Sequence, residues 1–429
     1  MKTTDTLALF GGPPALEAPA PAYQSIGAEE RDAALRVLEG GQLSAFFGSW
    51  GENFFGGPMV RAFESAWAAR FGAAYAVGVN SATSGLIAAV GACGITPGDE
   101  VIVSPFTMSA SASCVRVFGG TPVFADVQED TFNLDPASIE RCITPRTRAI
   151  IVVHLAGQPA DMDEIVAIAR RHQLRVIEDA AQAPGAMYKS RHAGTIGDIG
   201  VFSLNCHKTI QTGEGGVCCT DDPDLAARLQ LIRNHGEAVV EEMGIRQRAG
   251  QILGFNFRLG ELEAAIGLEQ LKKLDALTAP RQAIAADLTR RLGSLPGLLT
   301  PAVRPDRTHV YYIYMMRMDE AASGFTRRQA VRALAAEGVD CFEGYCRPLY
   351  LQPLYADDWP GKDGRRYGPG LCAVTERLYG RELFFHSYLY AALQGRFIDG
   401  VVRAFEKVWA ARSELQRLED DGATKVRRA

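Results

Sequence analysis

Short apolar runs rich in β-branched residues alternate with amphipathic stretches between about residue 74 and residue 222. The runs typical of strands read AYAVGV, EVIVSP, TPVFADV, RAIIVVHL, LRVIEDA, IGVFSLN and GGVCCTDD. Helical spacing appears between them, as in SATSGLIAAVGACG and DMDEIVAIARRHQ. Continuous Val/Ile runs separated by helices predict a mostly parallel sheet between helices, an α/β fold buried on both faces of the sheet. Because ligands bind beyond the carboxyl ends of such strands, the residues after each run are the candidates for function.

The segments before the first strand have a different character. Residues 1–25 are rich in Pro, Ala and Gly and predict an N-terminal arm, and GAEERDAALRVLEGG then has helical spacing. Residues 40–57 are rich in glycine and aromatic side chains without a period. They predict a loop over a site or an interface, with an ordinary packed surface loop as the alternative.

A second domain is predicted after the sheet. The amphipathic stretch from Leu259 to Gly293 leads out of the first domain, and the strand-like HVYYIYMMRM, the helical TRRQAVRALAAEG and the strand-like VDCFEGY follow. We expect an arm at 1–25, a large domain at 26–280 and a smaller α+β domain at 281–429. The charged tail from Ala411 onwards is expected to fray.

Composition narrows the class of protein. The chain has 429 residues, 47% hydrophobic and 22% charged, which is ordinary for a globular protein, and a formal net charge of −5 with no basic run, which argues against nucleic-acid binding. No segment approaches the roughly 18 apolar residues of a membrane span, and the N-terminal apolar stretch is too short for a signal peptide. We expect a cytoplasmic protein that does not contact membranes.

Cysteine and histidine spacing gives no sign of a metal site. The nine cysteines contain no C-x-x-C pair, and the seven histidines do not fall at ligand spacing with each other or with cysteine. The cysteines are therefore expected to be reduced thiols, most of them buried.

The first strand is followed by NSATSGL, residues 80–86. Small residues at a strand-to-helix junction let the N–H groups of a helix N-terminus bind an anion, and Ser81, Thr83 and Ser84 add hydroxyl donors. A simple helix cap is the alternative. The dinucleotide G-x-G-x-x-G and the Walker G-x-x-x-x-G-K-[ST] are both missing from the sequence.

Two later strands end in ionisable residues. In VIEDAAQA, Glu178 and Asp179 must point to opposite faces of the strand, so one of the carboxylates can enter a site, although an Asp that caps the next helix is the alternative. The next strand leads to Ser203 and then Lys208. Lysine is rare here, since Lys189 and Lys208 are the only two between Lys2 and Lys272. A lysine where arginine is the usual cation indicates a need for an amine that can lose its proton.

One cofactor uses all of these features together. Pyridoxal 5′-phosphate (PLP) needs an anion cup for its phosphate, a carboxylate for its ring nitrogen and an amine for its aldehyde. Desolvation lowers the pKa of a lysine and makes it nucleophilic near neutral pH. The strand-end residues therefore predict a PLP site.

The sequence resembles the PLP-dependent sugar aminotransferases of the DegT/DnrJ/StrS group, within the aspartate-aminotransferase-like fold type I. The similarity runs from about residue 27 to about residue 410 and includes GDEVIVSPFTMSASA, IEDAAQAPGA, FSLNCHKTIQTGEGG and NFRLGELEAAIGLEQLKKLD. The spacing from Lys208 to GEGG and the last of these motifs are highly specific to the group.

The resemblance implies a role for each matching residue. Lys208 stands at the position of the Schiff-base lysine and Asp179 at that of the acid paired with the pyridine nitrogen. Gln182 matches the glutamine near the ring oxygen, and Thr83, Ser84 and Ser203 match the phosphate ligands. Asn256 matches an asparagine that reaches the phosphate of the neighbouring subunit, which implies a homodimer with shared active sites.

Three features depart from the family pattern, and one of them is that ELFFHSYL lacks the usual proline before its polar residues. Met108 stands where an aromatic residue usually stacks on the ring, and a sulfur–aromatic contact of roughly 0.3–1.5 kcal/mol should keep cofactor binding intact. Tyr350 replaces a common histidine in what should be the region of substrate entry.

We expect an aminotransferase that moves an amino group from glutamate or glutamine to a nucleotide-linked keto sugar or a keto cyclitol, with Lys208 as base and acid in turn. Other PLP chemistry such as dehydration, a non-catalytic sensor and a Rossmann-type oxidoreductase remain the alternatives. The dehydrating branch carries histidine at the lysine position, whereas here His207 precedes that position and Lys208 fills it.

Overall fold

A computed structural model describes residues 6–48, 52–236, 252–357 and 364–418 of the chain. Its strands are, in chain order, β1 (Tyr75–Val79), β2 (Glu100–Val103), β3 (Thr121–Phe124), β4 (Thr147–Val153), β5 (Arg175–Asp179), β6 (Met187–Tyr188), β7 (Arg191–His192), β8 (Ile199–Ser203), β9 (Gly216–Thr220), β10 (Leu298–Leu299), β11 (Tyr314–Met318), β12 (Phe342–Glu343) and β13 (Leu383–His386).

The α-helices are α1 (Ala28–Gly40), α2 (Pro58–Phe71), α3 (Ala82–Ala92), α4 (Ala110–Val117), α5 (Pro136–Cys142), α6 (Met162–His172), α7 (Pro223–Arg233), α8 (Glu261–Leu292), α9 (Glu320–Ser323), α10 (Arg327–Ala336), α11 (Pro353–Ala356), α12 (Ala373–Arg377), α13 (Arg396–Ala410) and α14 (Arg412–Leu415). Tighter or wider single turns lie at Ala8–Phe10, Glu52–Phe55, Leu155–Gly157, Leu349–Leu351, Leu378–Glu382 and Ala391–Leu393.

Seven strands form the larger sheet, in the spatial order β1-β9-β8-β5-β4-β2-β3. Strand β9 runs antiparallel to both of its neighbours, and the other neighbouring strands are parallel. The predicted mostly parallel sheet is therefore confirmed. Since two antiparallel pairings separate β1 from β8, the carboxyl ends of β1, β5 and β8 lie at the same edge of the sheet.

Strand β2 shows why the strand runs are apolar without alternation. Its side chains point to the two faces in turn. Val101 and Val103 pack into a core shared with α3, α4 and α7, whereas Ile102 packs into a separate core shared with α5 and α6. Both faces of the sheet are thus covered, which favours an apolar residue at every position of a central strand.

Four strands form a second, antiparallel sheet in the order β10-β11-β13-β12. Its core includes α10, α13 and the end of α8. The N-terminal segment is attached to it: Leu7 is fully buried there, and the Glu337 carboxylate accepts the N–H groups of Ala8 at 2.7 Å and Ala15 at 2.9 Å.

Helix α8 joins the regions of the two sheets. It is 32 residues long and contains Pro280 in its interior. The domain limits expected from the sequence stay a prediction, and the limit after residue 280 falls within this one helix.

The structure shortens two predicted strands. HVYYIYMMRM was expected to be extended from residue 309, but β11 begins at Tyr314. Tyr311 has a φ of 52°, a left-handed conformation that interrupts the extended run. VDCFEGY is reduced to the two residues of β12. Part of the 40–57 loop and most of the charged tail fall outside the described residues, at 49–51 and 419–429.

Candidate active site

One cavity of about 640 Å³ lies at the edge of the larger sheet where β1, β5 and β8 end. This volume is within the range of small-molecule sites, roughly 300–1,000 Å³. Seven of the nine residues predicted for the site line it, namely Ser81, Thr83, Met108, Asp179, Gln182, Ser203 and Lys208. Tyr312, Tyr345 and Phe385 close the cavity from the side of the second sheet.

Adjacent carboxylates at the end of β5 have separate environments, as their alternation on a strand requires. Glu178 is fully buried away from the cavity and accepts hydrogen bonds from the N–H groups of Gly194, Ile196 and Gly197 at 2.6–2.8 Å. His154 Nδ1 accepts the N–H of Ala160, so its Nε2 donates to Glu178 at 2.8 Å. Burial alone would raise the Glu178 pKa, but the bonds from His154 and the backbone lower it. Asp179 is the carboxylate that lines the cavity.

The Asp179 carboxylate accepts a hydrogen bond from α4, a helix that the sequence did not connect with the site. Ser111, in α4, donates its hydroxyl to Asp179 Oδ2 at 2.8 Å, and Thr107 lies 3.1 Å from the same hydroxyl. The N–H of Ala181 donates to Asp179 Oδ1 at 3.2 Å. Ser111 gives no periodic or motif signal of its own, since it is one of several small residues in PFTMSASA.

Lys208 lies in the loop after β8 and its amine faces the same cavity. The residue as a whole is partly accessible to solvent, but desolvation at the amine lowers the Lys208 pKa to about 8, while the charge of Asp179 acts in the opposite direction. The ring of Tyr312 lies 4.4 Å from Nζ. An amine with this pKa exists in both the neutral and the protonated form near neutral pH, which suits proton transfer.

The N-terminus of α3, where the sequence predicts an anion cup, borders the cavity. Ser81 caps the helix by accepting the N–H of Ser84 at 3.1 Å, and Ala82 and Thr83 of the first turn line the cavity. Gly216, in β9, passes so close that a Cβ there would lie 2.7 Å from the nitrogen of Ala82. The absence of a side chain at residue 216 therefore lets β9 pack directly against the start of α3.

Gln182 has a fixed orientation. Its Oε1 accepts the N–H of Ala156 at 2.7 Å, and its Nε2 donates to the hydroxyl of Tyr345 at 2.7 Å. Burial raises the Tyr345 pKa well above its usual value, so the hydroxyl stays protonated. Tyr345 is a further cavity residue that the sequence did not single out.

Met108 is 59% exposed, which is unusual for methionine, and it lies on the cavity wall. Its sulfur is 3.8 Å from the Cys346 sulfur. Tyr345 contributes the adjacent wall, with Phe106 and Phe385 packed edge-on against it at 5.8 Å. The exposed thioether and the aromatic wall can enclose a flat ring.

Three expected residues are not part of this cavity's lining. The Ser84 hydroxyl donates to Asn80 Oδ1 at 2.6 Å instead. Asn256 is exposed and pairs through its backbone with Asn234, beside Asn80. Tyr350 was expected near substrate entry. It is fully buried in the core that covers one face of the larger sheet, and its hydroxyl donates to Glu376 at 2.6 Å. The roles proposed for Ser84 and Asn256, like those proposed for the seven residues that line the cavity, stay predictions.

The donor set fits PLP. The cavity combines the N-terminus of α3, a carboxylate supported by two hydrogen bonds and an amine whose pKa is lowered by desolvation. Within the described residues, no group of three or more His, Cys, Asp or Glu side chains could hold a metal ion. All nine cysteines are free thiols.

Comparisons with known proteins agree with this geometry. The model of the DegT/DnrJ/EryC1/StrS aminotransferase family matches residues 29–406. GDP-perosamine synthase of Caulobacter vibrioides is 42% identical over 302 residues, which are 70% of this chain and 79% of that protein. The spore coat polysaccharide biosynthesis protein SpsC of Bacillus subtilis is 39% identical over 343 residues, 79% of this chain and 85% of that one. The structure of an aminotransferase from Psychrobacter cryohalolentis superposes with a TM-score of 0.81 at 33% identity, covering 92% of this chain and 100% of that one.

Proposed function

The chain belongs to the DegT/DnrJ/EryC1/StrS aminotransferase family, and we propose that it moves an amino group from glutamate or glutamine to a nucleotide-linked keto sugar or a keto cyclitol. It is an aminotransferase that uses PLP and has the type I fold, as the sequence predicted. The acceptor is inferred from relatives, one named for GDP-perosamine and another for a spore coat polysaccharide. The expected setting is bacterial cell-surface sugar or natural-product biosynthesis.

The cavity residues divide the work of holding the cofactor. The N-terminus of α3, with Thr83 and Ser203, would bind the phosphate, and Asp179 would keep the ring nitrogen protonated. Gln182 would lie near the ring oxygen and Met108 against the ring. When bound, PLP supplies an electron sink for the charge left on a carbon that loses its proton.

Lys208 is the group that moves protons. Its Nζ takes the proton from the α-carbon of the amino donor, and in the reverse half of the reaction it gives a proton to the carbon of the acceptor that gains the amine. The observation that carries the proposal is the placement of this amine, with its pKa lowered to about 8, in one cavity with Asp179 and the N-terminus of α3.

Replacing the lysine tests this assignment. Lys208→Ala should abolish turnover and the visible absorbance of the bound cofactor. Lys189→Ala is the matched control, because Lys189 is an exposed lysine outside the cavity, paired with Asp163. Full activity in Lys208→Ala would refute the assignment.

Adding donor alone tests the reaction type. Glutamate or glutamine should convert the bound cofactor to its amine form, as an aminotransferase requires and a dehydratase does not. Nucleotide-linked keto sugars and keto cyclitols, added next, should restore the original spectrum. If no amino donor converts the cofactor, another PLP reaction is the better interpretation.

We further propose a homodimer in which Asn256 reaches the phosphate bound by the partner subunit. Asn256 is exposed and lies outside the cavity lining of its own chain. Its backbone partner Asn234 donates its side-chain amide to the carbonyl of Phe47, and the Phe47 side chain is 60% exposed. Aromatic side chains are enriched in interfaces, so the exposed Phe47 next to this pair supports the proposal.

Mixed dimers test the sharing of sites. Each variant by itself, Lys208→Ala or Asn256→Ala, should have less than full activity. A mixed dimer keeps one site with an intact Lys208 from one chain and an intact Asn256 from the other, so activity should rise on mixing after dissociation. No rise, together with a monomeric mass in solution, would contradict the dimer proposal.

The proposed location is the cytoplasm, a reducing compartment in which nine unpaired cysteines stay reduced. Among the described helices, none is both long and apolar enough to cross a bilayer.

A further inference from the structure

The ring of Tyr312 faces the amine of Lys208. The distance from Nζ to the ring centroid is 4.4 Å, well within the roughly 6 Å over which a cation is attracted to an aromatic face. Within the described part of the chain, no oxygen accepts a hydrogen bond from this amine. The ring is therefore a contact that can stabilise the protonated amine, in addition to the charge of Asp179.

The backbone of Tyr312 is fixed from two directions. Its N–H donates to the carbonyl of Ala156 at 2.8 Å. On the other side the guanidinium of Arg281, a buried residue of α8, donates to the carbonyls of Tyr311 at 3.3 Å and Tyr312 at 3.5 Å. The backbone that carries the ring is thus hydrogen-bonded both to the turn after β4 and to α8.

Two strained residues flank this attachment. Ala156 has a φ of 58° and Tyr311 a φ of 52°, a left-handed conformation that residues with a side chain rarely adopt. The Tyr311 N–H donates to His309 Nδ1 at 2.9 Å, and the two rings stack at 3.9 Å. Such strain persists only where the surroundings over-determine it, and it collects at functional sites. Here it sets the direction of the residue that meets Lys208.

We propose that Tyr312 is a positioning residue for Lys208, and that its ring face holds the protonated amine whenever this amine is not bonded to the cofactor. Its importance in turnover rests on the proposed function, but the contact between ring and amine does not. Holding the ammonium at one place keeps the proton close to the carbon that must receive it and prevents the flexible side chain from turning away.

Three influences set the proton affinity of the amine. Desolvation favours the neutral form, whereas the charge of Asp179 and the ring of Tyr312 favour the protonated form. The other titratable side chains lining the cavity are Glu214, His207 and Tyr345. Removing the ring while keeping an apolar side chain should leave desolvation in place and lower the pKa of Lys208.

The experiment measures that pKa in the full-length chain after removal of the cofactor with hydroxylamine. Trace labelling with acetic anhydride at a series of pH values, read by mass spectrometry, gives the pKa of Lys208, with the exposed Lys272 as internal reference. Tyr312→Leu should lower the Lys208 pKa by about 0.5 to 1.5 units. Tyr312→Phe keeps the ring and should leave the pKa unchanged.

An unchanged Lys208 pKa in Tyr312→Leu would overturn the proposal. So would an equal shift in Tyr312→Phe, since the effect would then belong to the hydroxyl group. If Tyr312→Leu does not fold, Tyr312→Met removes the ring in the same way and is judged by the same shift. None of these readouts depends on an acceptor being found, so failure of the sugar assignment and failure of this inference are distinguishable.

Discussion

Replacing Gly216 with alanine is expected to weaken cofactor binding beyond what the loss of stability explains. A Cβ at this position would lie 2.7 Å from the nitrogen of Ala82 and 2.7 Å from the carbonyl carbon of Ser81. Both atoms are backbone atoms at the start of α3. To reach ordinary contact near 3.4 Å, the strand and the helix N-terminus must separate by about 0.7 Å.

The expected rise in the dissociation constant of PLP follows from the hydrogen bonds that the N-terminus of α3 would donate to the phosphate. An N–H···O hydrogen bond spans about 2.7–3.2 Å, so a shift of about 0.7 Å removes it. Each lost bond to a charged group costs about 1.5–3 kcal/mol, which corresponds to a rise of about 10- to 100-fold in the dissociation constant of PLP. The steric compression itself should reduce the free energy of unfolding by about 1–3 kcal/mol.

The assay is a titration of the cofactor-free protein with PLP, followed by absorbance, beside a thermal melt without cofactor. Gly197→Ala is the matched control. Its Cβ would lie 2.7 Å from the carbonyl oxygen of Val176, three residues before Asp179 and away from α3. Both variants should lose stability, but only Gly216→Ala should lose affinity. Equal affinities in the two variants would refute the assignment of the α3 N-terminus as the phosphate site.

Three further outcomes are expected. Asp179→Asn should lower the Lys208 pKa in the cofactor-free protein, measured by amine labelling, because the carboxylate raises it. Ser111→Ala should reduce turnover about tenfold or more through loss of the bond to Asp179, while Ser113→Ala, on the same helix, should not. Lys208→Met should stabilise the cofactor-free protein at pH 7 by about 1–3 kcal/mol in thermal melts. The sign follows because the folded amine releases its proton at about pH 8 and the unfolded one near 10.5. Below about pH 8 the protonated amine of Lys208 therefore lowers the free energy of unfolding by its full amount. This destabilisation decreases as the pH rises towards 10.5. The stabilisation gained in Lys208→Met should decrease over the same range.

The sheet and much of its edge could be predicted because burial on both faces leaves a simple pattern. Ile150, Ile151 and Val152 lie on alternating faces of β4, yet each is fully buried, so the strand reads as one apolar run. Glu178 and Asp179 could be assigned to opposite faces by the same alternation. Lys208 was found by its rarity, a property of composition rather than of spacing.

Other parts of the site have no such pattern. Ser111 and Tyr312 come from segments whose positions are fixed by tertiary contacts, Ser111 through its bond to Asp179 and Tyr312 through the guanidinium of Arg281. The left-handed conformation of Tyr311, which ends the predicted strand early, cannot be foreseen from an apolar run. Residues distant in the sequence stabilise such a backbone conformation, so it cannot be predicted from the local sequence pattern.

Hydrogen-bonding capacity separates the structural groups of this site from the chemical ones. Glu178 accepts four hydrogen bonds from described residues, so no capacity is left for a ligand. Asp179 accepts one bond on each oxygen, which leaves a lone pair on each. Gln182 has one amide hydrogen left after its bonds to Ala156 and Tyr345. Lys208, within the described residues, donates to no oxygen at all. A ligand that completes this set would donate to Asp179, accept from Gln182 and react with the amine of Lys208, and a flat heterocycle with a protonated ring nitrogen, a ring oxygen and an aldehyde would do so.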